Sequence, residues 1–401
     1  MKRSIRGYAA RVKRLAASIL RGDGKPDSDS QDFVENVLGT NYGRKALLSY
    51  ITAPYRGAGI AKSHTNYLEC ATWVECLGEI GYDVDLVGWI DALPPEAYGR
   101  YALVTGLGRS FYESLRSPGA NNRKHVFYGT MAYPPFSNAL ALKRILQIRN
   151  EGGPLLLDSC RLLPDYYQIA CYLADKLIVV GNEFTRQTYA RDLAHVKIER
   201  INLFFHRSSH SLSRPVAPMA ARKCSILWFG SGGLLHKGLD IAIECARRHR
   251  EIHLHVCGTL AEREFQEYFL AKAPENTSFH GFVDIESERF SELVATCGAL
   301  LYPSLSEGQA GSVLTVCGNA SLVPIITRNS GLDESRLGFE IEEPTLESTL
   351  RALSAYLATD ESRLSKMAEA AQAQICRNHS YEGYRSDLRA SLAEFGPAAT
   401  A

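Results

Sequence analysis

The feature that most constrains this chain is a rhythm that runs twice. From about residue 45, short apolar runs alternate with helix-period patterns until a Ser-, Pro- and Arg-rich stretch, "FHRSSHSLSRPVAPMA" (205–220), interrupts them. The rhythm then restarts. In the first pass "KALLSYI" (45–51), "DVDLVGW", "YALVTG", "HVFYGT" and "DKLIVVGN" read as buried strands. Leu68, Ala71, Val74, Cys76 and Leu77 form a helical stripe within "HTNYLECATWVECLGEIGY", and "FSNALALKRILQIRN" predicts a further helix. The second pass runs "CSILWFGS", "KGLDIAIECARRH", "EIHLHVCG", "AEREFQEYFLAK", "TSFHGFV", "SERFSELVATC", "GALLYPS" and "LVPIITR", then three helical patterns to residue 395. Uninterrupted apolar strands need cover on both faces, which a parallel sheet with crossover helices provides. The expectation is an α/β protein of two doubly wound, Rossmann-like domains joined at 205–220.

A length of 401 residues with 45% apolar content suits two cores of that kind. The net charge of +1 argues against nucleic acid as a partner. That balance conceals an asymmetry. Residues 1–22 carry Lys2, Arg3, Arg6, Arg11, Lys13, Arg14 and Arg21 and no acid, which leaves the remainder near −6. Ile5, Tyr8, Val12, Leu15 and Ile19 recur there at helical spacing, which suits a helix lying on an anionic membrane surface. The same segment is similar to an organelle transit peptide, and a solvated helix or disordered arm is the plain alternative. Ten cysteines without CxxC pairs read as reduced thiols of a cytoplasmic protein, with a peripheral membrane contact through residues 1–22. No apolar run reaches the roughly 18 residues of a membrane span.

Two loops carry the chemistry. In "SEGQAGSVLTVCGNASLVPIIT" (306–327), Glu307 follows the strand "GALLYPS" and precedes a helix starting near Gly311. Ligands of open α/β sheets bind at that strand edge, and the first amides of a helix suit an anion. Small residues there let a phosphate approach, while a carboxylate accepts hydrogen bonds from sugar hydroxyls. Phosphate beside hydroxyls describes a sugar nucleotide; a plain loop whose Glu faces water is the alternative. In "WFGSGGLLHKGLDIAI" (228–243), a glycine-rich loop places Lys237 just before a helix, where it can neutralise a diphosphate as a point charge. Other motifs read as structural. Asp83-Val84-Asp85 spells DxD but opens an apolar strand, and His253 and His255 lack a third ligand, so no metal is expected.

In this order the two loops resemble the nucleotide-binding half of retaining glycosyltransferases of the GT-B fold, family four. "AKSHTNYLECATWVECLGEIGYDVDLV" is similar to the first crossover of their N-terminal domain. The resemblance implies that Glu307 holds donor-sugar hydroxyls and that amides near Gly311, Ser312 and Val313 cradle the diphosphate, with Lys237, Ser231 and Gly232 completing the phosphate site. Backbone around Gly258 and Gly281, Phe282 and Val283 would face the nucleobase. Gly57 and Gly59 would let the N-terminal domain close over the diphosphate, and Tyr133 and Asn138 would line the acceptor cleft. Thr315 stands where the family has a second, ribose-gripping glutamate. No arginine precedes Lys237 by about five residues, and Tyr133 replaces an N-terminal histidine.

The implied layout is an arm over 1–40, an acceptor domain over 41–204, a linker over 205–220, a donor domain over 221–380 and a final helix, 381–401, packed back on the acceptor domain. The implied activity is hexosyl transfer from a nucleotide sugar to a glycan or lipid-linked acceptor in polysaccharide or glycoconjugate synthesis. It is expected to proceed with retention and without metal or other cofactor. A catalytically weak sugar-nucleotide or glycan-binding module and a sugar-nucleotide epimerase are the rival readings.

Overall fold

The computed structural model describes residues 32–57, 65–210, 216–333 and 337–396; the basic segment 1–22 and Gly59 lie outside the described residues. Each pass of the sequence rhythm builds one sheet. The first contains β1 (Phe33–Val34), β2 (Lys45–Tyr50), β3 (Asp83–Gly88), β4 (Tyr101–Gly106), β5 (Lys124–Gly129), β6 (Lys176–Val180) and β7 (Lys197–Ile201). Their spatial order is β1-β3-β2-β4-β5-β6-β7, with only β1 antiparallel. The second contains β8 (Ser225–Phe229), β9 (His253–Cys257), β10 (Thr277–Gly281), β11 (Ala299–Tyr302), β12 (Val323–Thr327) and β13 (Phe339–Ile341). These run parallel in the order β10-β9-β8-β11-β12-β13, so winding reverses between β8 and β11.

The expected strands formed because their residues are apolar on both faces: Leu47, Val84, Leu103, Leu227, Leu254, Leu300 and Ile325 are all fully buried. Helix starts follow capping chemistry. Asn182, Ser287, Thr345, Asp360 and Ser380 each accept the amide three residues on. The DxD carboxylates are structural acceptors. Asp83 binds Thr40 Oγ1 and the amides of Tyr42 and Gly43, and Asp85 accepts from Tyr101 and from the amide of Asn36.

Elements not foreseen are β1, β7, β13 and the helices Arg109–Arg116, Asp165–Leu173, Glu183–Ala190 and Met219–Arg222. Residues 205–210, expected as part of a linker, instead pack beside the helix Gly311–Asn319. Phe205 lies against Gly318, and the amide of the buried Ser208 donates to Asn319 Oδ1 at 2.8 Å.

The helix Tyr381–Leu392 returns to the first sheet and covers the helix Thr65–Glu79. Glu79 receives both Arg385 and Arg389, and Lys176 Nζ donates to the carbonyl of Ser391 at 2.6 Å. The covered helix is therefore buried nearly all round from Glu69 to Gly78, with Cys70, Trp73, Val74 and Leu77 inaccessible. Beneath it Glu69 Oε2 accepts from Tyr128 at 2.5 Å and Tyr50 at 3.3 Å, and Tyr128 meets Tyr384 of the returning helix at 3.0 Å.

Burial raises the Glu69 carboxyl from 4.5 to about 6, against the two tyrosine hydrogen bonds that lower it. A raised folded value favours the protonated form. The stability it contributes is complete below 4.5 and is lost as pH rises through about 6. That loss is on the order of 2 kcal/mol. Urea unfolding of Glu69→Gln between about pH 4.5 and about pH 7 should show the pH-dependent fall shrink by this amount. An unchanged profile would assign the fall to another group.

Candidate active site

β8 and β11 are hydrogen-bonded neighbours, yet the chain leaves them in opposite directions. Their following loops diverge and open a crevice at the carboxyl edge. The loop after β8 ends at Lys237, and the loop after β11 contains Glu307. Lys237 Nζ donates to Glu307 Oε1 at 3.1 Å and to Tyr302 OH at 3.0 Å, and Tyr302 donates to the same oxygen at 3.0 Å. Both charged residues are buried. The two residues expected to hold separate parts of a donor are here each other's partner.

Two further groups complete the cluster. Arg161, from the first half of the chain, places Nη1 at 3.4 Å from Glu307 Oε2 and Nη2 at 3.4 Å from the carbonyl of Gly232. His236 lies beneath, with Nε2 at 2.5 Å from the carbonyl of Ser306. A carbonyl only accepts, so Nε2 carries the proton; Nδ1 is buried without a partner. Burial pushes His236 down to about 4 and keeps it neutral. Burial alone would raise Glu307, but the Lys237 and Arg161 charges outweigh it and hold the acid at about 2. Lys237 is pushed down to about 8 by burial and then by the Arg161 charge, against the pull of Glu307. Glu262, a neighbouring carboxylate, spends its oxygens on the amides of Gly233 and Leu234. Its charge still acts on Lys237 and Arg161, so two carboxylates face the two cations.

The Glu307 loop is fixed from both halves. The Glu307 amide donates to Asn329, Ala310 donates to Ser330, and Thr185 Oγ1 donates to the Gly308 carbonyl. Glycine at 308 serves this docking, since a Cβ would lie 2.4 Å from the Thr130 carbonyl beyond β5. The loop's small residues, expected to admit a phosphate, admit the opposing backbone here. Gly311 is different: a Cβ there meets only Leu203, at 3.7 Å. The amides of Gly311 and Ser312 open the helix Gly311–Asn319 and have no acceptor within it, whereas the Val313 amide bonds Ala310 at 3.0 Å. Val313 itself faces the core.

The remaining expected residues divide. Ser231 and Gly232 lie in the Lys237 loop, and the Gly232 carbonyl faces Arg161. Gly230, Gly258 and Gly281 knit the carboxyl ends of β8, β9 and β10 through backbone bonds of 3.0 and 2.8 Å. Gly258 must be glycine, because its φ is 150° and a Cβ would lie 1.9 Å from the Gly230 carbonyl. Phe282 beside them is 63% exposed, leaving a free aromatic face. Thr315 is buried one turn into its helix, and Gly57 lies beyond β2 at φ 92°, where a Cβ would meet no atom of the described residues within 4 Å. Tyr133, expected to line the acceptor cleft, is buried against Tyr189 with ring centroids 5.3 Å apart; its apolar surroundings hold the ring in the core. Asn138 instead clamps the loop that carries Arg161, exchanging two 2.8 Å bonds with the backbone of Leu163. A cavity of about 780 Å³ also separates the halves, lined by Phe136, Arg144, Phe184, Arg328 and Glu340, but Lys237 and Glu307 are not in its wall.

Sequence reasoning missed Arg161 and His236. The signal for Arg161 was its standing as the lone cation in the apolar stretch 154–164, "PLLLDSCRLLP". Among the described residues no group of three or more His, Cys, Asp or Glu side chains could hold a metal ion. His253 bonds Ser278, and His255 bonds His280.

No protein-family model and no curated protein matches the chain. Solved structures do. The chain is similar to sucrose-phosphate synthase from Thermosynechococcus elongatus at 13% identity and a TM-score of 0.60, covering 88% of this chain and 99% of that one. It is similar to HepE of Anabaena, solved with UDP and glucose, at 11% identity and 0.53, covering 88% and 98%. Trehalose 6-phosphate synthase of Burkholderia multivorans gives 12% identity and 0.53 over the same shares, 88% and 98%. At such identities the likeness is one of architecture. The fold is GT-B: two Rossmann-like units facing each other across a cleft.

Removing one member of a buried ion pair costs about 3–5 kcal/mol. Glu307→Gln leaves Lys237 and Arg161 together without their shared counter-charge and should cost that much in urea unfolding. Lys237→Met leaves Glu307 its Arg161 partner and should cost roughly half as much. Equal losses would show that Arg161 does not support Glu307. The Glu307 contribution, present above 4.5, should also erode as pH falls towards 2 in the wild type and be missing in Glu307→Gln.

Proposed function

We propose that this protein transfers a hexosyl group from a nucleotide-sugar donor to a glycan or lipid-linked acceptor, with retention at the anomeric carbon. The observation that carries the reading is the cluster of Lys237, Arg161 and Glu307 at the point where winding reverses. Lys237 and the open amides of Gly311 and Ser312 border one crevice, linked through Tyr302, which bonds both Lys237 and Ser312. A diphosphate suits that lysine and those amides. On arrival it takes Lys237 as its partner, and Glu307 is released to accept hydrogen bonds from the donor sugar.

The chemistry then needs positioning and electrostatics rather than a protein nucleophile. The bond from the anomeric carbon to the diphosphate oxygen breaks, and the acceptor hydroxyl oxygen bonds that carbon on the same face. The acceptor's proton passes to the departing diphosphate. Lys237 and the helix amides stabilise the leaving charge, Glu307 orients the sugar, and this scheme calls on no metal. Phe282 offers its exposed face to the base. A cytoplasmic site, a role in polysaccharide or glycoconjugate synthesis and membrane contact through residues 1–22 belong to this reading on sequence grounds alone. Among the described residues no helix is long and apolar enough to cross a membrane.

Thr315 favours a second reading, a weak or inactive binding module, because a buried threonine cannot replace a ribose-gripping carboxylate. A panel of nucleotide sugars separates the possibilities. Slow release of free sugar supports transfer, interconversion supports an epimerase, and binding without turnover supports the module. Charge-assisted hydrogen bonds of about 1.5–3 kcal/mol mean that Glu307→Ala should lower turnover roughly ten- to hundredfold or more. Thr315→Ala, losing at most one ordinary bond, should shift the donor KM only about threefold. Equal damage from both, in variants shown to be folded at the assay temperature, would move the ribose role to Thr315.

A further inference from the structure

We infer that Arg161 is a donor-binding residue that reaches across the cleft to hold the diphosphate opposite Lys237. The assignment rests on the reading of the crevice as a sugar-nucleotide site and adds a residue from the other half of the chain. Arg161 lies in the loop between the helices Pro134–Asn150 and Asp165–Leu173, which belong to the first sheet's unit. Its guanidinium nevertheless lies over the glycine loop of the second. Both of its polar contacts there are long, at 3.4 Å, and its side chain is 37% exposed. A planar fork held this loosely keeps N–H groups for a ligand, and a fork suits two phosphate oxygens better than a point charge does.

The support beneath it is firm. The loop backbone is pinned by Asn138 on both sides of Leu163 and by the amide of His236, which donates to the Ser159 carbonyl at 3.0 Å. Glycine at 233 leaves the guanidinium its room: a Cβ there would come within 3.3 Å of Arg161 Nε. Lys237, by contrast, is enclosed and already shared between Glu307 and Tyr302. Arg161 is thus the cation a ligand reaches with least rearrangement. Because Lys237 and Arg161 belong to different halves, a diphosphate gripped by both is gripped only with the cleft closed, so closure and leaving-group stabilisation become one event.

Calorimetric titration with UDP, GDP, ADP and TDP, each compared with its nucleoside, tests this. The wild type should prefer one diphosphate over its nucleoside. Arg161→Ala should weaken that diphosphate at least roughly tenfold and leave the nucleoside unchanged. Arg161→Lys, which keeps the charge but loses the fork, should fall between them. If Arg161→Ala does not fold, Arg161→Gln provides the same comparison. Undiminished diphosphate binding in the variants would overturn the assignment while leaving the sugar-nucleotide reading intact. Equal weakening of diphosphate and nucleoside would also overturn it, by showing that Arg161 only supports the loop. A wild type that prefers no diphosphate over its nucleoside would overturn the parent reading and this assignment together.

Discussion

Charge at the bottom of the crevice governs the arrangement around it. Lys237 and Glu307 are both nearly inaccessible, and charged groups removed from water need partners of opposite sign and further hydrogen bonds. The fold brings them together for a topological reason: their loops follow β8 and β11, the two strands between which winding reverses. Nearby groups then conform to the pair. Tyr302 at the end of β11 shares its hydroxyl with both, Ser304 adds a 3.4 Å contact, and His236 stays neutral because burial disfavours its charged form. The requirement extends to the other half, since Glu307 draws Arg161 across the cleft.

Contacts between the halves follow the same logic of buried polar groups meeting with little room. Gly308 touches the Thr130 carbonyl, Ser306 Oγ meets Ser137 Oγ at 2.9 Å, and Arg144 pairs with the fully buried Asp240. Each contact joins a loop or helix of the first unit to the carboxyl-edge loops or first helix turn of the second. Motions that open the cleft must break these together, so opening and closing would behave as a switch rather than a gradual hinge. The cavity beside Phe136 and Arg328 does not alter this, because it lies outside the charge cluster.

The sheets were legible because parallel strands buried on both faces leave continuous apolar runs, and Lys237 and Glu307 were legible because each closes such a run at a glycine-bearing loop. What escaped lacks a local signature. Strand β7, "KIERI", is largely polar at an edge of the sheet, and β1 is two residues long. Arg161 meets Glu307 across 146 positions and Arg144 meets Asp240 across 96, distances over which no periodicity carries information. Tyr133 failed for a related reason: a tyrosine opening a helix reads the same in sequence whether its ring faces a cleft or, as here, Tyr189. Asn138, expected in the acceptor cleft, bonds Leu163 and so supports the Arg161 loop.

The pairing of Lys237 with Glu307 bears on the order in which a donor would be recognised. A neutral sugar arriving alone would have to compete with an ammonium for Glu307, and a neutral hydroxyl cannot replace that charge in a buried site. A diphosphate can satisfy Lys237, and it relieves the repulsion that helps depress the lysine towards about 8. Recognition would therefore begin with the phosphates and make the sugar contact available second. This order also explains how the chain could manage without a carboxylate at Thr315. If the phosphates provide most of the initial attraction through Lys237, Arg161 and the amides of Gly311 and Ser312, a weaker ribose contact costs affinity without undoing the arrangement at the anomeric carbon. On the proposed reading the groups that must remain are those that exchange partners, because only they would convert phosphate binding into an oriented sugar.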